Sequence, residues 1–229
     1  MRIDIKGCIV SDGEGWIYDY FDIPYTSPKK VNEIIGSAGE EPLEIFINSG
    51  GGDIFAGSEI YSAIRAYAGT VNIHVVGIAA SAASVIACAG NSDISPTAMV
   101  MVHNVSATAA GDYRAMDKRS ETLKKANETI AAAYVAKTGM KQSEALALMD
   151  RETWLSAEDA VKIGLIDKIA ESLNIQLVAN YNSGLLPREV INKMQNQRMA
   201  DNAGTDFLCR KNAAQVKLNQ LKLGGIKND

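Results

Sequence analysis

Cysteine and histidine are scarce in this chain of 229 residues, which has three of one and two of the other. Cys8, Cys88 and Cys209 are odd in number and form no CxxC pair, which argues against a disulfide framework and against a zinc cluster. His74 and His103 are too few for a multi-histidine metal centre, and no metal or other cofactor is expected. No run of about 18 apolar residues occurs, so no membrane span is expected. The first residues, Met1-Arg2-Ile3-Asp4-Ile5-Lys6, alternate polar and apolar and lack the apolar stretch of a signal peptide. A reducing cytoplasm is the expected setting. Positive charge is also short: residues 1–170 carry 15 Lys and Arg against 22 Asp and Glu. An acidic body is a poor nucleic-acid binder, because phosphate contacts supply most of that affinity. Three nucleophile and phosphate motifs are missing as well. Phe55 stands where a dinucleotide fingerprint starting at Gly50 would need its third glycine, no Gly-Lys-Ser/Thr makes a P-loop, and no G-x-S-x-G makes an α/β-hydrolase elbow.

What is present is 47% hydrophobic residues, enough for one good core. Strand-like segments at Arg2–Val10, Leu43–Asn48, Val71–Val76, Ala98–Val102 and Leu165–Ile169 alternate with helical ones. The helices are expected from Ser27-Pro28 to Gly36 or Gly39, then at Asp53–Tyr67, Gly77–Gly90, Asp112 to about Lys137, Lys141–Met149 and Ala157–Ile163. This alternation predicts an α/β layer architecture, in which a strand, a small-residue loop and a helix recur at 43–67 and 71–90. Residues 1–170 are expected to form the domain and residues 171–229 a polar, partly helical extension. That extension holds 8 basic residues against 5 acidic ones and 14 Asn or Gln in 59 positions. Within it, Leu173–Val178 reads as a strand, Asn182-Ser183-Gly184 as a turn, Ala200–Thr205 as a linker, and Pro187–Met199 and Asn212–Leu223 as helices.

Three segments could carry chemistry. Asn48-Ser49-Gly50-Gly51-Gly52 ends a strand in consecutive glycines, which free backbone N–H groups to face a ligand. On this motif alone a tight strand-to-helix turn explains as much. Ser81 follows a strand and opens a helix of tiny side chains, where an oxyanion could reach backbone N–H groups. On composition alone a helix N-cap explains Ser81 or Ser84 better than a nucleophile does. A nucleophilic serine needs a base, and only His74 and His103 are available. His74 lies mid-strand and reads as structural, whereas His103 lies where a strand gives way to a loop. Composition does not select the carboxylate that would orient the imidazole.

Four segments together, FINSGGGDIFAG (46–57), VVGIAASAASVIACAG (75–90), MVMVHN (99–104) and DRETWLSAEDAVKIGLID (150–167), resemble the Clp peptidase family. They are most similar to its bacteriophage branch, the Clp-like head-maturation or prohead proteases, over roughly residues 1–170. The resemblance implies a Clp peptidase/crotonase-like fold of repeated strand-strand-helix units, with 112–137 as a projecting handle helix for subunit contacts. It makes Ser81 the nucleophile, His103 the base and Glu152 the acid, with Gly52 and Ala82 N–H groups as the oxyanion hole. The family's usual acid is Asp, so Glu152 is a departure, and Asp150 is the alternative. Ser84 is left to capping or packing, and Ala79, Ala80, Ala82 and Ala83 are expected to let a substrate backbone approach.

The implied activity is a serine endopeptidase processing phage capsid or scaffold protein in the bacterial host cytoplasm or inside the assembling head, as a ring-shaped homo-oligomer. The first strand starts close to Met1, leaving no room for the family's axial N-terminal segment, so independence from an unfoldase ATPase is expected. The alternatives are a housekeeping-type Clp peptidase working with an ATPase, a crotonase-type acyl-CoA enzyme and an inactive scaffold of the same fold.

Overall fold

The computed structural model describes residues 1–171 and 186–198. The alternation at the start of the chain makes strand β1 (Arg2–Ile9), which buries Ile3, Ile5 and Ile9. Helix α1 (Gly15–Tyr20) and the two-residue strand β2 (Tyr25–Thr26) follow, neither of them foreseen. Helix α2 (Pro28–Ser37) opens with proline in its first turn, where the missing N–H costs nothing. Then come β3 (Leu43–Gly52), α3 (Ile54–Ala66), β4 (Val71–Ala80) and α4 (Ala82–Ala87). The chain continues through β5 (Asn91–Ile94), β6 (Met99–Val102) and the long helix α5 (Tyr113–Thr138). Helix α6 (Gln142–Asp150), β7 (Thr153–Ser156), α7 (Ala157–Lys162) and β8 (Lys168–Ile169) complete it.

The main sheet has the order β2-β1-β3-β4-β5-β8, and every neighbouring pair in it is parallel. Parallel neighbours need crossover connections, which is why helices alternate with the strands. The expected α/β class is therefore found. Strand β4 serves two partners. Its first half, Asn72–Val75, pairs β5, and its second half, Ile78–Ala80, pairs β6. Strand β6 then pairs antiparallel with β7. One face of the sheet carries the core: Ile45, Ile47, Ile73 and Val75 pack with Ile60 and Ile64 of α3 and Ile86 of α4.

Two expected boundaries shift in ways that build the site. The glycines of 48–52 are not a turn outside the sheet, because β3 runs through them to Gly52 and stays paired to β1 at Cys8↔Gly51 and Ile9↔Gly52. The expected helix 77–90 is mostly strand and turn, with only Ala82–Ala87 helical. Pairing of Ile78, Ala79 and Ala80 with Met99, Val100 and Met101 overrides the helix propensity of alanine there. At the point where β4 changes partners, Asn48 Oδ1 accepts the Ile78 N–H at 3.2 Å. A Cβ on Gly77 would lie 2.4 Å from that oxygen, so a side chain there would push the Asn48 amide off the Ile78 N–H. The last expected strand shrinks to Lys168–Ile169.

Helix α5 is buried at one end only. Ile130 and Tyr134 are buried in the core, Leu123 is half-buried, and Met116 and Tyr113 are exposed. The chain separates into two units, Met1–Leu185 and Leu186–Asp229. In the second unit residues 188–198 are helical, within the helix expected at Pro187–Met199. The strand, turn, linker and helix expected at 173–178, 182–184, 200–205 and 212–223 lie outside the described residues. No helix among the described residues is long and apolar enough to cross a membrane.

Candidate active site

Ser81 sits at the joint between β4 and α4 with φ +54° and ψ −123°, a conformation rare for any residue with a side chain. Such a backbone costs on the order of 1–3 kcal/mol and persists only where its surroundings over-determine it. They do so here. The Ser81 N–H donates to Met101 O at 2.9 Å, and the Ser81 carbonyl accepts from the Ser84 N–H at 3.0 Å and the Ser84 hydroxyl at 2.6 Å. Strand β3 closes the third side. A Cβ on Gly51 would lie 2.6 Å from Ala80 O and 2.7 Å from Ser81 Cβ. The glycine run is thus required by backbone approaching backbone, and Gly51 (φ +91°) is the residue in contact with Ser81. Gly52, at φ +149°, instead faces Ile9 and Cys8 of β1 with its α-carbon.

The Ser81 side chain does not cap α4. Its Oγ lies 2.8 Å from His103 Nε2, so the capping alternative fails on geometry. With the ring proton on Nδ1, the hydroxyl donates to Nε2, which is the arrangement a general base needs. His103 reaches this place because β6 hydrogen-bonds beside the end of β4 and stops one residue before it. Asn104 next to it donates from Nδ2 to Asp150 Oδ1 at 2.8 Å, while its own Oδ1 is buried without a partner. The Val105 N–H donates to Asn127 Oδ1 of α5 at 2.7 Å, pinning the loop that leaves the histidine.

Among the described residues no carboxylate is hydrogen-bonded to His103. Glu152 is exposed, has φ +48°, and accepts from the Trp154 indole N–H at a long 3.4 Å. Its backbone is nonetheless well placed. The last β6–β7 pair is Val102↔Thr153, so one step further along the ladder sets Glu152 opposite His103. Asp150 ends α6 and is spent on Asn104. The structure therefore brings Ser81 and His103 together, sets Glu152 across from them without contact, and links Asp150 to the neighbouring residue.

Ala82 is the first residue of α4, and its N–H has no acceptor within the helix. The alanines depart from expectation. Ala79, Ala80, Ala82 and Ala83 are all fully buried, so their methyl groups serve strand-to-helix packing and do not themselves face a substrate. His74 is structural, as its mid-strand position suggested. Nδ1 bonds Asp93 Oδ1 at 2.9 Å, Nε2 bonds Glu44 Oε2 at 2.8 Å, and the ring stacks on Phe46. The supporting residues Asn48 and Asn104 lie within motifs singled out in the sequence, but no role was read for either, and Tyr134 carried no such signal.

A family model described as Clp protease matches residues 34–173. The ATP-dependent Clp protease proteolytic subunit of Deinococcus radiodurans is 30% identical over 135 residues, which are 58% of this chain and 66% of that protein. Subunit 1 of the same protease from Chlamydia muridarum is 32% identical over 139 residues, covering 58% of this chain and 72% of the relative. The Chlamydia trachomatis subunit 1 matches to the same extent. The chain thus spans just under two thirds of the Deinococcus relative and somewhat more of the others.

Proposed function

The chain belongs to the Clp protease family, a family of serine peptidases, and we propose that it cleaves peptide bonds through Ser81, His103 and Glu152. The observation that carries the reading is the 2.8 Å contact between Ser81 Oγ and His103 Nε2 at a strained strand-to-helix joint. Ser81 Oγ attacks the carbonyl carbon as its proton passes to His103 Nε2. The Gly52 and Ala82 N–H groups receive the oxyanion, where losing one donor typically costs ~2.7–4 kcal/mol. His103 then protonates the leaving amine, and a water deprotonated by His103 releases the acyl group from Ser81. Glu152 turns from Trp154 onto the imidazole and stabilises its charged form. No metal or cofactor has a part in these steps.

The substrates we propose are phage capsid or scaffold proteins, cut during head maturation by a ring of identical subunits. The resemblance of segments 46–57, 75–90, 99–104 and 150–167 to phage head proteases supports this. The names of the relatives favour a second reading, a peptidase chamber served by an ATPase. A fluorophosphonate should label the wild-type chain and leave Ser81→Ala unlabelled; an unlabelled wild type would leave the scaffold reading standing. Cleavage of a capsid or scaffold protein by the chain alone favours head maturation. Cleavage only with a Clp ATPase and ATP favours the second reading.

A further inference from the structure

Beneath the nucleophile runs a hydrogen-bond chain that the reaction does not use directly. The Ser84 hydroxyl has one proton and gives it to the Ser81 carbonyl at 2.6 Å. Its oxygen lies 2.8 Å from Tyr134 OH. Since the serine proton is committed, the tyrosine must be the donor, and the chain reads Tyr134 O–H to Ser84 O–H to Ser81 C=O. Both members are buried, Ser84 fully and Tyr134 to 3% exposure, so no water competes. Burial pushes the Tyr134 hydroxyl well above its ordinary pKa, so it remains a donor at any working pH.

From this we infer that Tyr134 is a positioning residue for the Ser81 reaction, acting through Ser84 on the peptide plane between Ser81 and Ala82. That plane has two outputs. Its orientation is set by the ψ of −123° at Ser81, and this torsion together with the positive φ fixes the direction of Oγ toward His103. Its other end is the Ala82 N–H. A carbonyl that accepts a strong hydrogen bond polarises its amide, and successive bonds in a chain reinforce one another. The tyrosine hydroxyl therefore strengthens the Ala82 N–H as a donor without touching the substrate. Tyr134 belongs to the buried end of α5, so the long helix is fastened to the backbone of the nucleophile. The inference rests on Ser81 being the nucleophile.

The test uses the full chain and four variants: Tyr134→Phe, Ser84→Ala, the double variant, and Ser81→Ala as control. The readouts are the rate of fluorophosphonate labelling, kcat and KM on a peptide, and the melting temperature. Tyr134→Phe removes one hydroxyl and keeps the ring, so the core stays filled. We expect it to slow labelling and lower kcat by about three- to tenfold with KM unchanged. In the Ser84→Ala background it should change neither, because its route to Ser81 is gone. Unchanged labelling in Tyr134→Phe, a loss that tracks only the melting temperature, or an equal further loss in the double variant would each overturn the inference. Persistent labelling in Ser81→Ala would instead overturn the reading of the site.

Discussion

At the scale of single residues, the open position is the acid. Glu152 faces His103 across the β6–β7 ladder but its carboxylate rests against Trp154, whereas Asp150 holds Asn104. Glu152→Gln keeps the size and removes the charge that stabilises an imidazolium. The corresponding amide change in a Ser-His-Asp enzyme costs about 10⁴ in kcat, and a loss of at least ~10² is expected here. Asp150→Asn retains an oxygen for the Asn104 amide, so it should cost less than about tenfold. Peptide kinetics on the two variants decide the matter, and the reverse ranking would move the acid to Asp150. Ser81 and His103 were legible because the four motifs are short, ordered and chemically distinctive. Tyr134 was not, because it stands 50 positions from Ser84 on what reads as an ordinary amphipathic stripe. Only the packing of α5 on α4 makes the hydroxyl meaningful.

At the scale of elements, the sheet carries a pH-sensitive clamp. His74 on β4 bonds Glu44 on β3 and Asp93 on β5, joining three strands, and Asn72 steadies Glu44. Burial pulls the His74 pKa down, but the two carboxylates outweigh it and hold the ring above its ordinary 6.5. Burial likewise raises Glu44, yet the bonds from His74 and Asn72 bring it below 4.5. The histidine's stabilisation is complete below 6.5 and is lost as pH rises through its higher folded value, since folding then holds a proton the unfolded chain has released. The glutamate's is present above 4.5 and is lost as pH falls through its lower folded value. Melting temperature followed by fluorescence should decline from neutral to alkaline pH, and His74→Gln should flatten that decline. A profile identical in both chains would remove the clamp. Most of the elements could be read from periodicity and caps, as with Pro28 opening α2. The β4–α4 joint could not, because Ala and Ser fit a buried strand as well as a helix and only pairing with β6 separates them.

At the scale of the whole molecule, α5 argues for self-association. Its C-terminal half is part of the core, so the helix is held at one end. Its N-terminal half presents Tyr113, Met116, Ser120 and Leu123 along one face, with Tyr113 72% and Met116 39% exposed. The 420 Å³ cavity between this face and Ala107 and Ala109 is open, and Arg119 and Lys124 help to line it. Apolar side chains exposed together on a helix mark an interface more often than chance exposure does. A closed ring would cover the same face on every copy, which is the usual symmetry of a homo-oligomer. Light scattering at micromolar concentration should therefore find a species several times the 24.5 kDa chain. Met116→Glu places a charge in the contact without touching the buried half of α5. It should shift the species toward monomer while the melting temperature stays close to that of the wild type. If the variant also loses Ser81 labelling, the contact and the site are coupled through α5. A wild-type chain that stays monomeric at these concentrations would mean that the exposed face has no partner in a second copy, and the ring would have to be given up.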